Sequence, residues 1–325
     1  MQRRSLLPAL LLAALGGWGH ATAQAQDNYP SKPITLVVSQ AAGAGSDIAA
    51  RLLARELQRE LNANVVVDNK PGGNGAIAAQ LVARAAPDGY TLLMGTAATN
   101  AANFAFFPGK LGYEPGSFEV AGVLSASPMS LLVTAEAPWK TVAELIADAK
   151  KQPGKLNCGA GIATAQVACE IFARRNGLQA ATVNYRSSPQ SLTDLAGGQV
   201  QYVVADQAAA SALVASKKLR ALAVLAPTRT ALWPDVPTMI ELGMADFQVI
   251  GWAGVFAPAG TPKAALDKLN AVLMKANDAP EFVKSRATNG GIPLVFNQRE
   301  AQQFVKSEVD RWQRLFRESG VKIDM

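Results

Sequence analysis

Residues 34–61 read ITLVVSQAAGAGSDIAARLLARELQREL, and the period of the pattern changes halfway along. Residues 34–38 are an unbroken apolar run of strand length, the pattern of a strand covered on both faces. The glycine-rich turn Ala42-Gly43-Ala44-Gly45 follows, with Ser46 as a candidate N-cap. Beyond it Ile48, Leu52, Leu57 and Leu61 recur at helical spacing. Strand, tight turn and helix in this order are the opening of a parallel crossover unit, so the chain reads as α/β.

The same order continues outward. A second strand at 65–67 ends in Asn69-Lys70-Pro71-Gly72-Gly73, a helix covers 76–84, and the turn Pro87-Asp88-Gly89 leads to a third strand at 90–94. After a loop rich in Pro and Gly at 107–117, residues 120–124 and 129–133 read as extended. Thr141 caps a helix that runs to 150, and 156–159 is a short strand. A second glycine turn, Gly159-Ala160-Gly161, precedes a helix bearing Val167, Ile171 and Phe172. Strands follow at 183–185, 200–205 and 219–225, and a third section opens with 247–256 and the turn Pro258-Ala259-Gly260-Thr261-Pro262. The last helix sets Phe304, Val309, Trp312 and Phe316 near one face and stops at Gly320, a stripe that reads as packed core. Sheets rich in parallel strands and covered by helices are expected, and a chain of 325 residues divides into two lobes.

Bulk features narrow the function. Arg3 and Arg4, the apolar residues 6–15 and the small residues Ala21-Thr22-Ala23-Gln24-Ala25 read as an export signal over 1–25, cleaved near Ala25, by either the general or the twin-arginine route. Its apolar run is broken by Gly16, Gly17 and Gly19 and falls short of the roughly 20 residues of a membrane span. Lys and Arg exceed Asp and Glu by 31 to 25, or 29 to 25 without Arg3 and Arg4. They are scattered, so the basic stripe of a nucleic-acid surface is missing. The only histidine, His20, lies in the signal. Triad chemistry through histidine and most zinc sites are thereby excluded from the mature chain. Cys158 and Cys169 are either a disulfide, as an oxidising compartment favours, or two small buried side chains; the sequence leaves both open.

In open parallel sheets small molecules bind beyond the carboxyl ends of the strands, where helix N-termini point. Two turns qualify, 42–47 and 159–166. Each has glycines that let backbone N–H groups approach a ligand, and each opens a helix whose positive end favours an anion. Taken singly, either turn could be a plain strand-to-helix connection. A rival reading uses the first turn alone. Gly43-x-Gly45, with Asp68 ending the next strand, resembles an exported dinucleotide-binding oxidoreductase, although the third small residue of that pattern falls on Ile48. No Gly-Lys-Ser or Gly-Lys-Thr follows the first turn, so a P-loop fails. Asp47, Asp68, Asp194 and Asp206 were weighed as a hydrolytic pair, for which capping or solvated roles are commoner.

These stretches together carry a family resemblance. From Tyr29-Pro30-Ser31-Lys32-Pro33-Ile34 onward the chain resembles the Bug-type periplasmic solute receptors, the substrate-binding proteins of tripartite tricarboxylate transporters. The marks are Ala42-Gly43-Ala44-Gly45-Ser46-Asp47, Val67-Asp68-Asn69-Lys70-Pro71-Gly72-Gly73, Pro87-Asp88-Gly89-Tyr90-Thr91-Leu92-Leu93, Leu192-Thr193-Asp194-Leu195-Ala196-Gly197-Gly198-Gln199-Val200, Pro234-Asp235-Val236-Pro237-Thr238 and Phe256-Ala257-Pro258-Ala259-Gly260-Thr261-Pro262. The resemblance implies a two-lobed periplasmic binding protein of type II-like architecture, non-catalytic and without a cofactor, with a ligand cleft between the lobes. Lobe 1 would comprise 26–125 and 251–325, and lobe 2 residues 126–250. It implies a small carboxylate held, partly through water, between Gly43, Ala44, Gly45, Ser46 and Asp47 on one side and Gly161, Ile162, Ala163, Thr164, Ala165 and Gln166 on the other. Thr96, Thr99, Tyr185 and Asp206 would line the cleft. A membrane permease or a sensor protein is the implied partner of a monomer.

The chain departs from the family pattern where specificity should lie. Ser39-Gln40 replaces the usual Pro-aromatic pair, Ala44 replaces a common Gly, and 161–166 lacks most of the hydroxyls and the His typical there. Backbone N–H groups should carry more of the anion binding, and Gln40 adds an amide where an aromatic ring would pack.

Overall fold

The computed structural model describes residues 29–42 and 44–323. The proposed signal, Gly43, and the last two residues lie outside them.

The chain begins with β1 (Ile34–Val38), α1 (Gly45–Leu61), β2 (Val65–Asn69), α2 (Ala76–Ala83) and β3 (Thr91–Thr96). β1 lies between β2 and β3, parallel to both. Its apolar run has the cause inferred above: Ile34, Leu36, Val37 and Val38 are all buried, because α1 covers one face of the sheet and α2 the other. α1 presents Ala50, Leu53, Ala54 and Leu57 to that sheet. Its N-cap is Ala44 rather than Ser46, which lies inside the first turn. After β3, Ala98–Ala102 winds as a π-helical turn into α3 (Asn103–Phe106).

The two extended segments expected at 120–124 and 129–133 are one strand, β4 (Phe118–Thr134). Ser125, Ala126, Ser127 and Pro128 between them stay extended because each pairs with β9. The next elements are α4 (Val142–Lys151), β5 (Cys158–Ala160), α5 (Ala163–Arg175), β6 (Thr182–Asn184), α6 (Ser188–Ala196), β7 (Tyr202–Asp206), α7 (Gln207–Ala215) and β8 (Leu219–Val224). The chain then returns through β9 (Ile250–Pro258), α8 (Lys263–Ala276), α9 (Pro280–Asn289), β10 (Ile292–Pro293) and α10 (Gln298–Ser319).

Strand order is β2-β1-β3-β9-β4-β7-β5-β6. β5 is parallel to β6 and β7, as β1 is to β2 and β3. The two strands at the centre run against their neighbours: β9 is antiparallel to β3 and to β4, and β4 is antiparallel to β7 and β8. The architecture is that of a two-lobed binding protein, each lobe with its own parallel strands, and β4 belongs to both, pairing with β9 through Phe118–Pro128 and with β7 and β8 through Met129–Thr134. Thr141, Asp206 and Asn297 cap α4, α7 and α10 through their side chains.

α10 has the apolar face expected of it, and the face joins the two halves. Trp312 meets Phe106 edge-on at 5.9 Å and Phe304 meets Trp252 of β9 at 5.7 Å. At its far end Glu318 forms a two-pronged ion pair with Arg175 at the end of α5, at 2.5 and 2.9 Å. Among the described residues no helix is long and apolar enough to cross a membrane, and no group of three or more His, Cys, Asp or Glu could hold a metal ion.

Candidate functional site

The carboxyl ends of β1, β2, β3 and β5 open onto one cleft of about 270 Å³. Its lining is Ser39 and Gln40 after β1, Gly72, Asn74 and Gly75 after β2, Thr96 and Ala98 at the end of β3, Asn103 and Phe106 of α3, and Ile162, Ala163 and Thr164 at the start of α5. Ser39 and Gln40, just ahead of the first glycine turn, and residues 162–164, just after Gly161, therefore border a shared space from opposite halves of the sheet, at the position where such folds place ligands. A larger hollow of about 460 Å³ lies between α4, the end of α5 and residues 242–245. It is lined by none of the residues singled out from sequence, and its one cation, Arg175, is held by Glu318, so the smaller cleft at the strand ends is the candidate site.

Of the residues expected there, Gln40, Thr96, Ile162, Ala163 and Thr164 line the cleft. α5 is the barer of the two helix starts. Its N-cap, Ile162, has no side chain to cap it, and the N–H groups of Ala163, Thr164 and Ala165 find no acceptor among the described residues. Three donors at the positive end of a 13-residue helix are a ready site for an anion. α1 differs. Gln40 Oε1 accepts from the Ser46 N–H at 3.3 Å and from the Ser46 hydroxyl at 2.7 Å, so a neutral carbonyl already sits on the first turn. With Oε1 so engaged, Gln40 offers the cleft the donors on its Nε2.

The other expected residues have structural partners instead. The buried Asp47 carboxylate accepts from Arg51 Nε and from Asn69 Nδ2, each at 3.0 Å, and Asn69 also donates to the Gln40 carbonyl. This ties the end of β2 to the start of α1 and fixes the first turn in place. Ala44, Gly45 and Ser46 belong to that turn but do not line the cleft, and Gly43 lies outside the described residues. Thr99 is buried, accepting from Thr96 N–H at 2.9 Å and donating to Asn100. Ala165 is a buried residue of α5, and Gln166, two residues past Thr164, is not part of the lining. Tyr185 packs on the α6 side of the sheet, where burial first and the Asp194 carboxylate second push its hydroxyl up. Asp206 caps α7, accepting from Ala209 N–H at 2.9 Å.

Gly161 has a packing role. A Cβ there would lie under 3.0 Å from the backbone of Ser187 and Ser188, so the absent side chain makes room for the start of α6. Of the four aspartates that could form an acid–base pair, Asp68 pairs with Lys70 at 3.1 Å, and none of the four lines the cleft. Cys158 and Cys169 are bonded to each other, with Cα atoms 6.0 Å apart, joining β5 to α5 directly behind the second turn.

Sequence reasoning missed Ser39, Gly72, Asn74, Gly75, Ala98, Asn103 and Phe106. For the residues after β2 there was a signal, since Asn69-Lys70-Pro71-Gly72-Gly73 ends a parallel strand as the other two turns do. Asn74 and Gly75 hold left-handed backbone angles there, φ 50° and 85°. Asn103 and Phe106 gave none, because only the π-helical turn after β3 swings them toward the cleft.

Comparison with known proteins finds relatives along nearly the whole chain. Residues 49–321 match the family described as tripartite tricarboxylate transporter family receptor. The protein BugT of Bordetella pertussis is 31% identical over 320 residues, covering 96% of this chain and 98% of its own. An R. palustris protein solved with adipate is 30% identical with a TM-score of 0.78, covering 90% of this chain and 99% of its own. MatC from Rhodopseudomonas palustris with bound malate is 31% identical with a TM-score of 0.74, covering 89% of this chain and 100% of its own.

Proposed function

We propose that this chain, which belongs to the tripartite tricarboxylate transporter receptor family, is a non-catalytic periplasmic receptor that closes two lobes on a small carboxylate and presents it to a membrane permease. The observation that carries the reading is the bare start of α5, three N–H donors without acceptors among the described residues, in a cleft whose other side is lined by Ser39 and Gln40 after β1. Its relatives with adipate and malate bind acids of the corresponding size. In this reading 26–125 with 251–325 form one lobe and 126–250 the other, and β4 and β9 are the crossovers between them. The residues 1–25 act as the export signal. Ser39, Gln40, Asn74, Thr96, Asn103 and Thr164 supply the side-chain hydrogen bonds, and the backbone of 162–165 takes the carboxylate.

The charges balance without a basic side chain. The lining holds no Lys, Arg, Asp or Glu, so the anion is met by amide dipoles, each charge-assisted hydrogen bond contributing about 1.5–3 kcal/mol. Three such bonds approach the ~8 kcal/mol of a micromolar complex before ordering and closure are subtracted. Because only closure brings both turns onto the ligand, the carboxylate selects the closed state.

Thermal unfolding of the mature protein with small carboxylates and with their amides tests the reading. A carboxylate at about 100 times its Kd stabilises by about 2.7 kcal/mol, raising the Tm by roughly 5–10 °C, while the amides leave it unchanged. Amides that stabilise as well as the acids would remove charge recognition from the account.

A further inference from the structure

Asn103 is the most constrained polar group bordering the cleft. It is 1% exposed at the start of α3. Its Nδ2 donates to the Asn74 carbonyl at 3.0 Å and to the Tyr113 hydroxyl at 3.4 Å. The Tyr113 hydroxyl directs its own hydrogen to the Thr99 carbonyl at 2.8 Å, so toward Asn103 it is an acceptor. Two acceptors on the same side fix the amide with its nitrogen toward them. Oδ1 is then turned the other way, and it has no hydrogen-bond partner among the described residues although it is shielded from water. A buried carbonyl with no donor is a destabilising feature that a native fold keeps only with a reason. Asn103 is among the residues that line the cleft.

What would complete Oδ1 is a donor, and the surroundings choose the kind. No acidic side chain lines the cleft, so an ammonium group would be desolvated without a counter-charge, at a cost of several kcal/mol. A hydroxyl group carries one hydrogen and no charge, and is desolvated at far smaller cost. The donors identified above, on α5, on Gln40 Nε2 and on the threonines, suit the oxygens of a carboxylate, whereas Asn103 Oδ1 can only accept.

We propose that Asn103 Oδ1 accepts a hydrogen bond from a hydroxyl group of the ligand, so that the cleft selects hydroxy acids over the corresponding deoxy acids, with Tyr113 as the residue that positions the amide. The inference rests on the carboxylate reading above and adds to it the class of acid. A deoxy acid would enter the same cleft and leave Oδ1 unsatisfied, and a site with a buried polar group left unpaired discriminates strongly.

Calorimetric titration of the mature protein with matched pairs, malate against succinate and mandelate against phenylacetate, tests this, with aspartate as the ammonium-bearing control. At least one pair should bind with the hydroxy acid about tenfold tighter or more, the equivalent of 1.4 kcal/mol. In Asn103→Ala that ratio should fall toward one. Tyr113→Phe removes one of the two acceptors that orient the amide and should reduce the ratio several-fold. It serves as the deciding variant if Asn103→Ala does not fold. A general loosening of α3 would weaken both members of a pair alike and leave the ratio intact, which counts against the proposal. Equal binding of hydroxy and deoxy acids by the unaltered protein, or preference for aspartate over malate, would overturn the inference and leave the carboxylate reading standing. Absence of binding by every acid would overturn both.

Discussion

Gly45 and Gly161 look alike in the sequence, each a glycine in a turn that opens a helix, and the structure predicts opposite responses to the same added methyl group. At Gly161 a Cβ would lie under 3.0 Å from the backbone of Ser187 and Ser188. Backbone cannot rotate away as the end of a side chain can, so α6 or the 161–164 loop must shift. Overpacking of this kind costs about 1–3 kcal/mol. With about 2–4 °C per kcal/mol for a chain of this order of size, Gly161→Ala should lower the Tm by roughly 2–12 °C. At Gly45 a Cβ meets nothing within 4 Å, and the residue is the first of α1. Gly45→Ala should be neutral or stabilise by up to about 1 kcal/mol, since alanine restricts the unfolded chain more than glycine. Gly45→Val separates fold from function: the Tm should stay within a few degrees, while bulk at the entrance to the first turn weakens carboxylate binding by about tenfold or more, one charge-assisted hydrogen bond. Circular-dichroism melting of the three variants and titration with a carboxylate ligand give the answer. A Gly161→Ala protein that melts with the unaltered one would refute the packing argument. Unchanged affinity in Gly45→Val would remove that turn from the site.

Two further predictions concern stability. Replacing Cys158 and Cys169 with Ala opens a bridge between residues 11 apart, which should destabilise by about 3 kcal/mol; urea unfolding of the unaltered protein should shift to match when a reductant is added, and a midpoint indifferent to reductant would contradict it. Glu308 is 1% exposed and accepts from Trp252 Nε1 at 2.9 Å, and its carboxyl group is raised above the usual range by burial, with Arg311 and Trp252 opposing. The folded state therefore keeps this proton where the unfolded chain has released it, so this contribution is fully present below the ordinary carboxylate value and is lost as pH rises through the folded one. Glu308→Gln should flatten the fall in stability across that interval; denaturation curves whose pH dependence matches that of the unaltered protein would show that Glu308 is not its source.

The segment 34–61 was sufficient by itself to fix the fold class, because an apolar run of strand length, a glycine turn and a helical stripe leave few other ways of burying the same side chains. The last helix was equally legible, for its stripe of Phe304, Val309, Trp312 and Phe316 ends at a glycine with left-handed angles. Composition alone left a single histidine, His20, in the segment read as the export signal. The local pattern also pointed to the strand ends that border the cleft, with Gln40 after β1 and 162–164 after β5. Sequence did not tell lining from support. Asp47, Thr99 and Asp206 have the residue types of a binding site, but each is held by partners in the fold: Asp47 by Arg51 and by Asn69, 22 residues away in sequence, Thr99 by Thr96 and Asp206 by the helix that follows it. Gly161 serves a neighbouring helix, and Asn103 comes to border the cleft through a helical turn that no periodicity announces. Local periodicity records which face of an element is buried. Which polar atom is left without a partner depends on every other element packed around it, and that was decided only when the lobes assembled.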